Sequence, residues 1–159
     1  ILTADGKGMR EVEMEQWVRD FYSWDLVDQA CGSAFVKSPR AFEKAFEWVE
    51  REREFEKRRG FVLLVAIAVH RKQVTDAEVL PCIDSIRDHA DDDRNYVKKA
   101  VNWLLRTLGK RSRYLNEEAV VVARELMERQ EKSAQWIGKD AFRELTGEAV
   151  QKRLARKRN

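Results

Sequence analysis

The stretch RRGFVLLVAIAV at 58–69 decides the fold, because its second half is too apolar for a surface helix. The uninterrupted apolar run, 61–69, is far shorter than the roughly 20 residues that span a bilayer. A basic cluster at 70–72 follows at once. A helix that is apolar nearly all round lies in the interior of a protein. We therefore expect a buried core helix over 55–71, in the middle of the packed layers.

The beginning of this stretch recurs along the chain. RRGF at 58–61 matches KKAV at 98–101 and KDAF at 139–142, at offsets of 40 and 41 residues. A helix pair repeating about every 40 residues is typical of HEAT and armadillo-like solenoids, although any all-helical chain shows some match of this kind. The recurring small residue, at Gly60, Ala100 and Ala141, suits one close approach of stacked helices per repeat. We predict an all-α, right-handed HEAT/armadillo-like superhelix of about four helix pairs, with a concave face lined by one set of helices.

The composition supports this fold class. The chain has 159 residues, which fits a single domain over 1–159, and only 7 glycines and 2 prolines, too few for a β-sandwich or barrel. The net charge is +3, from 31 Lys and Arg against 28 Asp and Glu. That excess is too small to indicate a nucleic-acid-binding protein by itself.

Caps and apolar spacing predict where the helices begin and end. Ser-Pro at 38–39 predicts an N-cap with proline at the first helical position, and the spacing of Thr75 and Glu78 predicts a capping box. Pro81 predicts a kink or two short pieces, and the acidic run at 91–93 is expected to cap the next helix. The predicted buried stripe of the third helix is Phe42, Ala45, Phe46 and Val49. The predicted helices are 9–22, 24–35, 39–51, 55–71, 75–90, 95–108, 116–130, 133–146 and a basic tail helix within 148–159.

Metal, cofactor and disulfide motifs are missing from the sequence. Cys31 and Cys82 show no C-x-x-C spacing, and His70 and His89 have no partner at metal-ligand spacing. We expect no cofactor, no metal and a reducing, cytoplasmic setting. The chain opens without a signal peptide or an initiator Met, so we expect it to be a fragment.

The first candidate functional motif is WDLVD at 24–28. Its spacing places Trp24 and Asp28 on one face of the second predicted helix. An exposed indole beside a carboxylate suits a binding site. The alternative is that Trp24 is a core residue and that Asp25 or Asp28 caps the helix, Asp25 lying nearer its start.

The second candidate motif is NYVKKAVNWLLR at 95–106. Trp103 and Arg106 lie one turn apart, and Lys98 and Lys99 add positive charge. Aromatic and cationic residues together suit contact with a sugar and neutralisation of a phosphate. The alternative is that Trp103 is a core residue of an amphipathic helix.

Arg58 and Arg59 stand just before the most apolar part of the chain. A guanidinium there should face a groove, a carboxylate or a phosphate. The alternative is a solvated face, or salt bridges to the glutamates at 52–56. The basic tail at 148–159 suits nonspecific phosphate contact or solubility.

These motifs, in this order and with the 40-residue period, resemble the DNA alkylation repair family of AlkD-like alkylpurine DNA glycosylases. The resemblance runs over about 11–146 and implies a HEAT-like solenoid that cradles duplex DNA. It implies that Trp24, Asp28 and Trp103 surround the lesion nucleotide as the catalytic set. It also implies that Arg58, rather than Arg59, and Arg106 hold the DNA backbone, with Lys98 and Lys99 adding phosphate contacts. Family members usually carry further N-terminal helices, so we expect this chain to begin inside the array.

By this resemblance the protein excises purines alkylated at N3 or N7 from double-stranded DNA, as a monomer without metal, cofactor or membrane. The lesion base is already cationic, so what remains is to stabilise an oxocarbenium-like sugar, which Asp28 would do. The five residues Trp24, Asp28, Arg58, Trp103 and Arg106 are predicted to converge on one concave, positively charged surface. The competing hypothesis is a noncatalytic scaffold that binds DNA or a protein on that face. A carboxylate at Asp28 favours the enzyme, because a groove that only binds phosphates would avoid one.

Overall fold

The computed structural model describes residues 10–20, 28 and 35–157, and within these ranges all regular structure is helical. Contacts divide the chain into two compact units, Ile1–Lys72 and Gln73–Asn159. The predicted second helix, 24–35, lies outside the described residues apart from its members Asp28 and Phe35. The first unit contains α1 Glu11–Asp20, a short 3₁₀ helix Phe35–Lys37, α2 Ala41–Val49 and α3 Glu54–His70. The second contains α4 Asp76–Val79, α5 Pro81–His89, α6 Asn95–Gly109, α7 Arg113–Met127, α8 Lys132–Leu145 and α9 Glu148–Arg156.

Helix α3 is the core helix that the sequence predicted. Residues 60–68 are all buried, and exposure begins only at Val69, which is 54% exposed. Arg58 and Arg59, at its N-terminal side, are buried as well. In the described part of the chain, no helix combines the length and the apolar character needed to cross a bilayer.

Gly60 allows α3 to lie unusually close to α2. A Cβ atom added at Gly60 would stand 2.5 Å from the backbone nitrogen of Val49 and 2.7 Å from the carbonyl oxygen of Ala45. Since real Cβ atoms do not approach backbone so closely, the absence of a side chain sets the distance between the two helices. The prediction of a close approach at Gly60 is confirmed.

The predicted start and buried stripe of α2 were wrong in part. The helix begins at Ala41, because Ser38 shapes a turn before it: the Ser38 hydroxyl accepts a hydrogen bond from the Arg40 backbone N–H at 3.3 Å. Trp48, which the predicted stripe omitted, is completely buried and packs edge-to-face on Phe35 at 5.7 Å. The predicted stripe residues Phe42 and Phe46 are only half-buried and stack on each other.

The second unit repeats at 38 residues rather than 40. Arg87 on α5 binds Glu125 on α7, and three residues of α6 contact residues of α8, each pair 38 positions apart. The α6–α8 pairs are Lys98 with Trp136, Asn102 with Asp140 and Arg106 with Glu144. Because each pair is four residues after the previous one, α6 and α8 run side by side in the same direction.

This period corrects the third member of the repeat. A Cβ at Gly138 on α8 would lie 2.5 Å from the Ala123 carbonyl oxygen and 2.8 Å from the Met127 nitrogen. The same three positions form the contact at Gly60 in the first unit. Gly60, Ala45 and Val49 precede Gly138, Ala123 and Met127, respectively, by 78 residues. Gly138, not Ala141, is therefore the equivalent of Gly60, because Ala141 lies one turn further along α8. Ala100 is fully buried on α6 and precedes Gly138 by 38 residues. That it marks a close approach equivalent to Gly60 stays a prediction.

Local signals placed most of the remaining helix ends. The Thr75–Glu78 capping box is present, and the chain breaks before Pro81 into α4 and α5 as predicted. Helix α7 starts three residues earlier than predicted, because the Ser112 hydroxyl caps it by accepting from the Leu115 N–H at 3.1 Å. The acidic run at 91–93 does not cap α6: Asp92 instead binds the Arg94 side chain and backbone.

Candidate nucleic-acid interface

In the first unit, the structure brings Asp28 and Arg58 together. The Arg58 guanidinium donates a hydrogen bond to the Asp28 carboxylate at 2.8 Å. The Arg58 side chain is 9% exposed and that of Asp28 is 21% exposed. Trp24, the third predicted site residue of this unit, lies outside the described residues.

The position of Arg58 explains why it needs a carboxylate. It sits in the second turn of α3, immediately before the buried run, so its charge leaves water when the helix packs. A buried cation is stable in a protein only when it is paired and hydrogen-bonded. Asp28, 30 residues earlier in the chain, supplies that charge. The pair therefore fixes both side chains in this unit.

Arg59 is a poorer candidate for a DNA contact. It is 2% exposed and belongs to the largest fully buried side chains of the protein. A direct phosphate contact would require its guanidinium to leave that environment. The structure places Arg58 against a predicted site residue, Asp28.

In the second unit, one face of α6 carries the predicted basic and aromatic residues. Lys99, Trp103, Arg106 and Lys110 follow one another at spacings of three or four residues, which places them on one stripe of the helix. Lys99 is exposed and Trp103 is 38% exposed. Trp103 is therefore not the core residue that the alternative interpretation required.

Arg106 is engaged by carboxylates of α8. It donates to Glu144 at 2.6 Å, and its guanidinium lies 3.7 Å from Asp140. Glu144 also binds Lys110 at 2.6 Å, so one carboxylate holds two cations. Burial raises the pKa of Glu144, but the hydrogen bonds from Lys110 and Arg106 outweigh it and leave the pKa below its usual value. Glu144 is therefore ionised, and it competes with any approaching phosphate for the Arg106 guanidinium.

Lys98, another predicted DNA contact, lies over an indole. Its ammonium nitrogen is 5.1 Å from the centre of the Trp136 ring, and Trp136 is 42% exposed. One turn along α8, Asp140 accepts hydrogen bonds from Asn102 at 3.1 Å and Arg143 at 2.7 Å.

Trp136, Asp140 and Glu144 were not predicted as site residues. Their spacing of four residues on α8 is visible in the sequence, but the 38-residue offset that aligns them with α6 is not. The matching sequences at 98–101 and 139–142 are offset by 41 residues, which places α6 and α8 three residues out of their actual register.

The predicted site residues are divided between the two compact units. Asp28, Arg58 and Arg59 belong to the first, and Lys98, Lys99, Trp103 and Arg106 belong to the second. Their convergence on one surface stays a prediction. Burial raises the pKa of the Cys82 thiol to about 12, so this thiol is unreactive. Within 10–20, 28 and 35–157, no group of three or more His, Cys, Asp or Glu side chains is arranged to hold a metal ion.

Comparison of the chain with known proteins identifies its class. Its structure resembles that of one solved protein, described as a member of "a new family of proteins related to the HEAT-like repeat DNA glycosylases with affinity for branched DNA structures". The two share 23% identity with a TM-score of 0.67, over 88% of this chain and 65% of that one. This likeness confirms the predicted all-α, HEAT-like repeat fold.

A family model gives the more particular assignment. The model described as "DNA alkylation repair enzyme" matches residues 2–145, and the chain therefore belongs to that family. No curated protein matches the chain. The chain spans about two thirds of the length of the solved protein that it resembles, 65%.

Proposed function

We propose that this protein is a DNA glycosylase that excises cationic N3- or N7-alkylated purines from duplex DNA, with Asp28 as its catalytic carboxylate. Membership of the DNA alkylation repair enzyme family supports the reaction class. The observation that carries the proposal is the Asp28 carboxylate, which retains 21% exposure while Arg58 holds it at 2.8 Å. The Asp28 side chain is held in place and partly exposed, although its Oδ1 atom is buried. A carboxylate in such a position suits the stabilisation of a positive charge on a bound sugar.

The chemistry needs little more than such a carboxylate. The bond between C1′ of the deoxyribose and the purine nitrogen breaks, and its electron pair neutralises the cationic purine, which leaves. The positive charge then lies on the sugar, where Asp28 stabilises it. Water adds at C1′ and gives up a proton, for which Asp28 is the acceptor. Arg58 acts as a positioning residue, because its hydrogen bond fixes the carboxylate.

The other assignments follow from the family resemblance. Trp103, with its indole 38% exposed, packs against the deoxyribose of the lesion, as does Trp24. Arg106, Lys98 and Lys99 bind phosphates and orient the duplex. Arg59 is given no DNA contact, because its side chain is buried.

The proposal is tested by Asp28→Asn in the full-length protein, with release of free 7-methylguanine or 3-methyladenine from alkylated duplex as the readout. The variant should lose most of the excision activity and bind duplex equally well or more tightly, since a negative charge is removed. The amide oxygen can still accept the Arg58 hydrogen bond, but the buried guanidinium loses its counter-charge, so the variant should fold with reduced stability. Circular dichroism checks that it is folded before excision is measured. The matched control is Asp93→Asn, the same change at an exposed position of the second unit, which should excise normally.

The second candidate function is a noncatalytic scaffold that binds DNA or a protein. The observation that favours it is the same ion pair, because the Arg58 guanidinium neutralises the Asp28 carboxylate. A salt bridge with a purely structural role would have the same geometry. Normal excision by Asp28→Asn, or no excision by the wild-type protein, would support this candidate. A loss of thermal stability as large as that of a core substitution would identify Asp28 as structural.

A further inference from the structure

We propose that Trp136 on α8 and Lys98 on α6 together form a second contact with the sugar–phosphate backbone of duplex DNA. The proposal rests on the proposed function, in that it takes DNA to be the partner of this face. It adds a residue, Trp136, and a role for its contact with Lys98. Trp136 binds a deoxyribose through its indole, and Lys98 binds the adjoining phosphate.

The first observation is the exposure of a large aromatic side chain beside a cation. Trp136 is 42% exposed, and the Lys98 ammonium nitrogen stands 5.1 Å from its ring centre. The indole holds the ammonium near its ring by electrostatic attraction, which restricts the lysine before any partner binds. A nucleotide offers a phosphate to the cation and an apolar sugar edge to the indole, so it satisfies both groups at once.

The second observation is the alignment of this pair with Arg106. Trp136, Asp140 and Glu144 lie on one stripe of α8, and the last two contact Arg106. Four residues of an α-helix advance about 6 Å, so Trp136 lies about 12 Å along α8 from Glu144. One strand of a duplex advances 3.4 Å per nucleotide along its axis, so the two contacts would be roughly three to four nucleotides apart in a complex where α8 runs along that axis.

The third observation is the charge of the surroundings. Asp140, the acidic residue nearest to Trp136 on this stripe, is bound by Asn102 at 3.1 Å and by Arg143 at 2.7 Å. Lys99 on α6 and Lys139 on α8 are exposed and add positive charge. The cation over the accessible indole, Lys98, and the neutralised Asp140 complement an anionic polymer with apolar sugar edges.

The experiment measures the affinity of the full-length protein for an undamaged duplex over a range of salt concentrations. Trp136→Ala should weaken binding about fivefold without changing the salt dependence, because no charge is lost. Lys98→Met should also weaken binding and should reduce the slope of log K against log salt by about one. The double variant should lose less than the sum of the two single losses, since each side chain supports the other.

The control is Tyr114→Ala, which removes another exposed aromatic side chain, 49% exposed, from α7 of the same unit. It should bind duplex normally. Trp136→Phe keeps a smaller aromatic ring and should retain part of the affinity, which excludes misfolding as the cause of the loss. Normal binding by Trp136→Ala and Trp136→Phe, or an equal loss in Tyr114→Ala, would overturn the proposal.

Two further results have distinct meanings. A loss confined to single-stranded or branched DNA would overturn the backbone contact and assign Trp136 to stacking on an unpaired base. Binding to undamaged duplex requires no excision, so this test can succeed even if Asp28→Asn shows that the protein is no glycosylase. Conversely, normal binding by the Trp136 variants would leave the excision result untouched.

Discussion

At the scale of single residues, carboxylates hold two of the predicted DNA-binding side chains, Arg58 and Arg106. Arg58 binds Asp28, and Arg106 shares Glu144 with Lys110. These partners fix the cations in the free protein, and in the proposed DNA complex a phosphate would have to replace or join them. A surface ion pair stabilises a protein little, so replacing Glu144 by a phosphate costs little free energy at the partly exposed Arg106.

We predict that Glu144→Gln increases affinity for duplex DNA by roughly threefold to tenfold and steepens its salt dependence. The change leaves Arg106 and Lys110 without their shared anion and therefore available to phosphates. Affinity is measured by titration of a labelled duplex at several salt concentrations.

Two variants make this prediction specific. Glu125→Gln removes an equal charge from the same unit, where Glu125 binds Arg87 at 2.7 Å, and should have little effect. Arg106→Ala should act in the opposite sense, weakening binding to damaged and undamaged duplex alike and lowering the salt slope by about one. Equal effects of Glu144→Gln and Glu125→Gln would show that only net charge matters.

The sequence anticipated the types of these residues but not their partners. The exposed Trp103 and the lysines beside it follow from the amphipathic pattern of one helix, which is local information. The Arg58–Asp28 pair joins residues 30 positions apart, and the Arg106–Glu144 pair joins residues 38 apart. Such pairs depend on how two helices are placed against each other, which no local pattern contains.

At the scale of helices, the same close approach of two helix backbones at a glycine occurs in both units. Gly60 brings α3 against α2, and Gly138 brings α8 against α7, with equivalent backbone atoms at the point of closest approach. Gly109, in contrast, faces the end of the Leu145 side chain at 2.6 Å. A side-chain end can rotate away, whereas a helix backbone cannot.

We predict that Gly60→Ala and Gly138→Ala each lower the free energy of unfolding by about 2 kcal/mol. The added methyl group must push two helices apart, which costs about 1–3 kcal/mol, and the better helix propensity of alanine recovers at most about 1 kcal/mol. Urea unfolding followed by circular dichroism measures the change.

Gly109→Ala is the matched control, because its methyl group meets the end of the Leu145 side chain at 2.6 Å and the Ala119 Cβ at 3.1 Å but no helix backbone. This variant should be nearly as stable as the wild type. If all three variants lose the same stability, the close approach at Gly60 and Gly138 is not what limits packing.

At the scale of the whole molecule, ion pairs hold several carboxylates in the charged form. Glu15 is the most connected: it accepts hydrogen bonds from Trp48 at 2.9 Å, Arg51 at 2.8 Å and Lys44 at 3.2 Å. Burial raises the pKa of Glu15, but these hydrogen bonds outweigh it, and the pKa lies below the usual 4.5. The other glutamates with a lowered pKa are Glu13, Glu43, Glu47, Glu78, Glu131 and Glu144.

We predict that the protein is stable from neutral pH down to the usual carboxyl pKa of 4.5 and loses stability steadily below it. A carboxyl group with a lowered pKa in the folded state is protonated first in the unfolded state, so acid favours unfolding. The stabilisation by these carboxyl groups is fully present above their pKa in the unfolded state. It disappears as the pH falls through their lower pKa in the folded state. The urea midpoint at a series of pH values measures this loss.

Glu15→Gln should show a smaller fall of the urea midpoint in acid than the wild type, because it lacks one of the contributing carboxyl groups. Glu117→Gln, at an exposed position of α7, is the control and should follow the wild-type curve. A midpoint that is independent of pH down to about pH 3 would contradict the prediction.

Sequence alone determined the class of this protein. The apolar run of α3, the capping box at Thr75 and the break before Pro81 are signals that act within one or two helical turns, and a near-40-residue period is typical of HEAT-like repeats. Only the tertiary structure decided the register of the repeats, in which Gly138 takes the place predicted for Ala141, and the carboxylate partners of Arg58 and Arg106. The physical reason is that helix formation depends on neighbours three or four residues apart, whereas register depends on the packing of side chains between helices.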